Sequence, residues 1–469
     1  MGDLNGVTQK LDYIHQLGFD GIWLMPIFQS PSYHKYNTTD YYKIDPDYGT
    51  AADLKQLVSR AHELGIKVII DLALNHSATD NINFLKACAA EAQQRGELKD
   101  SEKQYLEGLS TDQISALAQM YSFADTSRNG YTQVPGHSFF YESNFSSTMP
   151  EFNFDSPLAQ DLFRSVIHYW MDEANAGVDG YRLDAVSYYY MNNTSANTAA
   201  LNRIQSYGQE VDPDCYFVGE CWQNSPIITQ YYSDSTLNSY FWFPAQGANG
   251  FVSEGMYDKG KYLRGEKAML EAAGSDIAAP FLDNHDTARM TFSALDMAKF
   301  QYGLLATLSG NVFTYYGDEC GIGQGQSNND ESKRTHMPWG DGQECQDPAN
   351  AAESYYPHGD VKTQLADPNS LVNFVAAANR LRNAYPALGW GQIDGNEFEE
   401  DDETSLLAID KSLDGEKVRV VYNFSRVEAA DYQAAAGEKL VGQLCSKGAV
   451  QETDGKYSIP AYSIALFQK

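Results

Sequence analysis

Apolar and polar positions along the chain repeat with two different periods. Apolar residues spaced three and four apart predict helices over 4–17, 51–64, 158–176, 198–211, 262–273, 296–308 and 370–384. Between these lie short, unbroken apolar runs, the pattern of strands buried on both faces. They are GIWLMP (21–26), KVIIDL (67–72), the run ending at Asp184, YFV (216–218) leading into Glu220, SYFWFP (239–244), AAPFL (278–282) and VFTYY (312–316). Alternating strands and helices build either an open doubly wound sheet or a closed (β/α)8 barrel. Ionisable side chains sit where several different strands stop, which favours the barrel. Seven strands can be counted. The eighth would precede the first helix, so the first barrel strand is expected to be missing from this chain.

Two regions leave this rhythm. Residues 77–150 contain two polar helical stretches, around 84–95 and 112–120, and a loop rich in Gly, Ser and Asn. They follow the third barrel strand and read as an inserted subdomain overhanging the barrel mouth. From about residue 391 the pattern turns to short β runs such as SLLAID, VRVVYNF and YSIALFQ, which predicts a terminal β-sandwich. The expected organisation is an α/β catalytic barrel over 1–390, interrupted by the 77–150 insert, and an antiparallel β domain over 391–469.

Charge narrows the partners. The 33 basic and 63 acidic residues give a formal net charge of −30. Such a surface repels nucleic acid and anionic membranes and tolerates an uncharged substrate. No apolar run is long enough for a transmembrane helix. No signal peptide is present, so secretion or surface display would need an upstream segment, and a cytoplasmic location is the other reading. The six cysteines show neither a CxxC pair nor zinc spacing and read mostly as free thiols. The 32 Tyr and 22 Phe suit stacking on sugar rings, although most will be packing.

Four strand ends carry the chemistry: DLALNH (71–76), GYRLDA (180–185), VGECW (218–222) and FLDNHD (281–286). Asp184 follows Arg182 by two residues, so both point to one side of the strand, and a cation beside it suits a nucleophilic carboxylate. Glu220 lies between Gly219, which permits close backbone approach, and Trp222, which is expected to shield it from water and raise its pKa as a general acid requires. Asp286 adds a third carboxylate, and His76 and His285 can donate hydrogen bonds to sugar hydroxyls. Two carboxylates of this kind suit cleavage of a glycosidic bond, with about 5–5.5 Å between them in a retaining enzyme. A divalent metal held by Asp71, His76, Asp184, Glu220, His285 and Asp286 is the competing reading. It is disfavoured by the absence of any HxH or HxxxH pair and by Arg182, which would repel a cation.

In order and spacing these segments resemble the signature regions of the alpha-amylase family, glycoside hydrolase family 13. GFDGIWLMPI, MPEFNFD (149–155) and NVFTYYGDE (311–319) match further family segments. The resemblance covers essentially the whole chain. It implies Asp184 as nucleophile, Glu220 as acid/base, Asp286 as transition-state stabiliser, and Arg182, His76 and His285 lining the cleavage subsite, with Asp71 orienting the site. In YHKYNTTDYY it implies that Tyr36 stacks on the sugar and that His34 contacts it, with Lys35 where the family usually has Gly. The 77–150 insert corresponds to the family's B domain. Asn75 corresponds to a position that binds calcium in many alpha-amylases, so a structural calcium is a further expectation.

Departures from the family pattern are informative. Ser187 and Tyr188 stand where many alpha-amylases carry Lys-His on the leaving-group side. Glu151 is unusual in MPEFN, and DESKRTHMPW (330–339) resembles the last barrel loop of members acting on short oligosaccharides. Of the calcium loop DxNxDGxGD only Gly2-Asp3 remains. The expected activity is hydrolysis of α-1,4 bonds in starch, glycogen or malto-oligosaccharides by a monomer. The alternatives are an α-glucosidase, oligo-1,6-glucosidase or transglycosylase on short α-glucans and, more distantly, a non-catalytic binding subunit.

Overall fold

The computed structural model describes residues 2–394 and 404–468. Six strands form one curled parallel sheet in the order Gly21–Leu24, Lys67–Leu72, Gly180–Leu183, Tyr216–Gly219, Ser239–Phe241 and Ile277–Ala279. The register pairs Gly21 with Lys67, Ile69 with Gly180, and Gly180 with Tyr216. Close strand approach explains the glycine that opens GYRLDA. A Cβ at Gly180 would stand 1.8 Å from the Tyr216 carbonyl oxygen, so no other residue fits.

Helices predicted from apolar spacing pack outside the sheet. Leu4–Gln16 is capped by Asp3, whose carboxylate accepts from Gly6 N at 2.6 Å. Ala51–Glu63 carries a Thr50/Asp53 capping box. Pro157–Met171 starts at Ser156 with Pro in its first turn and buries Phe163, Ile167 and Trp170. Among the described residues, no helix is long and apolar enough to cross a membrane.

The seventh strand expected from the sequence is reduced. Residues 312–316 make one parallel bridge, Phe313 to Phe281, rather than a ladder. The physical reason is Pro280, which accepts from Phe313 N at 3.0 Å but has no N–H to return. Between this segment and the free edge of Gly21–Leu24 lies a cavity of about 1320 Å³, lined by Ile22, Trp23, Phe241, Phe281 and Phe313. Among the described residues no strand spans that gap.

The insert leaves and rejoins the barrel through one antiparallel bridge, His76 to Glu151. Ser77 N donates to Pro150 O at 3.0 Å and Phe152 N to Asn75 O at 3.0 Å. It holds helices Ile82–Arg95 and Thr111–Ala118 and a three-stranded antiparallel sheet. Toward the C-terminus the chain forms a five-stranded and a three-stranded antiparallel sheet. Residues 395–403 of the expected β domain lie outside the described residues. All six cysteines are unbridged.

Candidate active site

The C-terminal ends of the parallel strands converge on Arg182. Its guanidinium is buried and donates from Nη1 to Asp184 Oδ1 at 2.6 Å. The same Nη1 lies 3.1 Å from Asp71 Oδ1, and Nη2 lies 2.7 Å from Glu220 Oε1. Arg182 and Asp184 point together, as their two-residue spacing implied, and neighbouring strands add Asp71 and Glu220 to the same cation. Just past the strand, Ala185 takes a φ of 50° and its N–H donates to Glu220 Oε2 at 3.1 Å. A left-handed alanine at such a place is strain retained by its surroundings.

Glu220 is buried at the strand end. Burial, with Asp184 and Asp286 adding negative charge nearby, pushes its carboxyl above the usual range against the pull of Arg182. Trp222 is not the shield the sequence suggested. It is 46% exposed and stacks on Phe243 with ring centroids 5.0 Å apart. Gly219 has no room for a side chain, because a Cβ there would stand 2.8 Å from the Tyr240 ring.

Asp286 sits in a different setting. Burial alone would raise its carboxyl, but the hydrogen bond from His285 and the charges of Arg334 and Arg182 hold it below the usual range. His285 Nε2 lies 2.9 Å from Asp286 Oδ2 and 2.8 Å from Tyr36 OH. Burial lowers the pKa of His285, which keeps the ring neutral with one N–H to donate. Tyr36 stacks on His285 with centroids 5.8 Å apart and donates to Asp71 Oδ2 at 3.1 Å. His34 Nδ1 accepts from Tyr36 N at 3.2 Å, and burial lowers its pKa to about 4. His76 is buried with neither ring nitrogen paired within the protein, and Phe145 of the insert lies 5.6 Å from its ring.

Residues the motifs did not reveal complete the site. Arg334 donates from Nη2 to Asp286 Oδ1 at 2.8 Å and from Nε to His285 O at 3.0 Å. Lys333 donates to Asp286 O at 2.9 Å. Phe145 meets Tyr188 edge to face at 5.0 Å, so an aromatic pair stands where Lys-His was absent from the motif. The only sequence signal for Arg334 was its place in DESKRTHMPW.

Asn75 is the position matched to calcium. Its side-chain amide nitrogen is buried without a partner, and its backbone carbonyl oxygen accepts from Phe152 N. The nearby Glu151 carboxylate is taken by Asn144, at 2.7 Å from its N–H and 3.0 Å from Nδ2. Among the described residues no three His, Cys, Asp or Glu side chains are grouped to hold a metal. A calcium cage needs six to eight oxygens.

A curled parallel sheet whose strand ends gather three buried carboxylates about one arginine, with Asp286 on a further segment, fits the class of glycoside hydrolases. Comparison with known proteins narrows the class. The family description "Alpha amylase, catalytic domain" matches residues 1–391. Alpha-amylase 3 of Dictyoglomus thermophilum is 32% identical over 441 residues, covering 91% of this chain and 82% of that protein. Among solved structures, Eubacterium rectale Amy13B superposes with a TM-score of 0.86 at 32% identity, covering 100% of this chain and 91% of that one. An alpha-amylase from H. orenii gives 0.80 at 28% identity, covering 100% and 95%. The chain belongs to the alpha-amylase family, glycoside hydrolase family 13, and acts on α-glucans.

Proposed function

We propose that the protein hydrolyses α-1,4-glucosidic bonds of starch, glycogen or malto-oligosaccharides with retention of anomeric configuration. The observation that carries this reading is the single Arg182 guanidinium bound to Asp184 at 2.6 Å and Glu220 at 2.7 Å. Two carboxyl groups bound to opposite ends of one guanidinium are close neighbours, and a retaining pair needs about 5–5.5 Å between them. Asp184 attacks the anomeric carbon while Glu220, kept protonated by burial, passes its proton to the departing glycosidic oxygen. The bond from carbon to that oxygen breaks, and a glycosyl ester on Asp184 forms. Glu220, now ionised, takes a proton from water, whose oxygen displaces Asp184. Asp286 stays ionised and faces the positive charge that develops on the ring. His76, His34, Tyr36 and His285 hold the sugar hydroxyls and ring face, and Trp222 offers an exposed platform beyond the cleaved bond. A monomer suffices, because every group invoked comes from one chain.

A second reading is action on short or α-1,6-linked glucans. It is favoured by DESKRTHMPW, which resembles the last barrel loop of members acting on short oligosaccharides. Product analysis on maltoheptaose and isomaltose separates the two. Shortening of maltoheptaose, with the initial product anomer followed by NMR and found to be α, is expected. Glucose from isomaltose with maltoheptaose untouched would overturn the α-1,4 assignment.

A further inference from the structure

His34 and Tyr36 are separated by one residue, and that residue is a lysine in a conformation lysine avoids. Lys35 has a φ of 65°, the left-handed region in which a Cβ crowds the following carbonyl. Its side chain is long, charged and buried. The ammonium lies 3.0 Å from Asp45 Oδ2 and 2.9 Å from Asp47 Oδ2, and 3.4 Å from the Ser30 carbonyl oxygen. Asp45 is fixed in turn. It accepts from Ser30 N and Asp47 N at 3.0 Å each, and its own N–H donates to Ile27 O at 2.8 Å. The lysine therefore ties the middle of the loop between strands Phe28–Gln29 and Asp40–Ile44 to a buried carboxylate just past the second strand, and that carboxylate also holds Ser30 at the start of the loop.

The loop it ties carries the sugar-facing groups. Tyr36 N donates to His34 Nδ1 at 3.2 Å, and Tyr36 OH reaches Asp71 and His285. Any relaxation of the backbone at Lys35 toward ordinary φ values would rotate His34 away from Tyr36. A buried charge is costly unless paired, and a left-handed non-glycine residue adds strain. Both features at one residue point to a geometry held for use.

We propose that Lys35 is a positioning residue of the sugar site, its ion pair with Asp45 and Asp47 clamping the left-handed turn that presents His34 and Tyr36 to the substrate. This rests on the reading of the cleft as an α-glucan site. The test compares the kcat and KM of wild type, Lys35→Met, Lys35→Gly and Lys35→Arg on maltoheptaose, with melting followed by circular dichroism. Lys35→Met is expected to lower kcat/KM by about tenfold in the folded protein, because small misplacements of binding groups are costly to rate. Lys35→Gly relieves the backbone but lacks the clamp, and is expected to be impaired equally. Lys35→Arg, which keeps a buried cation, is expected to recover part of the loss. A merely structural pair would shift melting and leave the kcat/KM of the folded protein untouched. Wild-type kcat/KM in either Lys35→Met or Lys35→Gly overturns the assignment. If Lys35→Met fails to fold, Asp47→Asn decides, since it alters only the exposed end of the pair: a lowered kcat/KM at unchanged melting supports the clamp, and an unchanged kcat/KM refutes it. Failure of wild type to cleave maltoheptaose tells instead against the α-1,4 reading, and the variants are then compared on the α-glucan it does cleave.

Discussion

Arg334 reaches across from a loop 48 residues downstream to place its guanidinium 2.8 Å from Asp286 Oδ1. Its Nε also holds the His285 carbonyl, and its charge helps keep the Asp286 carboxyl below the usual range. Removing it by Arg334→Ala is expected to lower kcat about a hundredfold, the scale seen when one preorganised electrostatic group is lost. The sign of the pH effect follows. With the depressing cation gone, Asp286 takes up its proton at higher pH, so the acid limb of kcat/KM moves upward. An unmoved acid limb would show that His285 and Arg182 suffice to maintain the ionised carboxylate.

Glu220 governs the alkaline side. Its raised pKa means that the folded protein keeps a proton the unfolded chain gives up. Stability from this group is therefore complete below the unfolded value and is lost as pH rises through the folded one. Activity needs the same proton, so kcat/KM should fall through that same range. Asp286→Asn removes one of the negative neighbours that raise Glu220, and its residual activity should show an alkaline limb shifted to lower pH. Glu220→Gln should reduce turnover by roughly three or more orders of magnitude with the circular dichroism spectrum unchanged. Retained activity in Glu220→Gln would remove it from the acid/base role.

The contrast between Asp184 and Arg334 shows what sequence alone can reach. Asp184, Glu220 and Asp286 each end a short apolar run, and a buried strand can place a charged side chain at its tip in only a few ways. Arg182 was legible for the same reason, through the two-residue repeat of a strand. Arg334 comes from an irregular loop, where no period connects it to Asp286. Trp222 was misread because the chain leaves the strand at Gly219, after which alternation no longer fixes direction. The reduced pairing at 312–316 depended on Pro280, a property of the partner segment rather than of the apolar run itself. Lys35 was visible as a departure from Gly, but its purpose needed Asp45 and Asp47.

Phe145 and Tyr188 stand edge to face at 5.0 Å on the insert side of the cleft. Phe145 is 45% exposed, so its ring is available to a sugar. Phe145→Ala should raise KM for maltoheptaose more than for maltotriose, because a longer chain reaches more of this wall, and should leave kcat on the shorter substrate nearly unchanged. The expected penalty is about 1 kcal/mol, the scale of one aromatic contact. Equal effects on both substrates would place Phe145 outside the leaving-group side.

Metal removal offers a separate check on Asn75. The Glu151 carboxylate is engaged by Asn144 and the Asn75 backbone carbonyl by Phe152 N, so a calcium there would have to compete for two of the six to eight oxygens it needs. Dialysis against a chelator is expected to leave both melting temperature and activity unchanged. A fall in melting temperature that calcium restores and magnesium does not would reinstate a calcium site.

A fully buried cation sits at the join between barrel and C-terminal sheets. Lys411 Nζ contacts Glu266 Oε1 at 2.5 Å, Thr307 O at 2.6 Å and Ser309 Oγ at 3.1 Å, and both charged side chains are fully enclosed. Burial lowers the lysine's pKa against the pull of Glu266. Lys411→Met leaves the Glu266 carboxylate buried without its counter-charge, which is expected to cost about 3–5 kcal/mol. Replacing both partners, as in Lys411→Met with Glu266→Leu, removes the uncompensated charge and should recover much of that loss. Urea denaturation of the single and double variants measures the difference. A double variant as unstable as Lys411→Met would mean that the lysine acts through the carbonyl of Thr307 and the hydroxyl of Ser309, and not through the charge it neutralises.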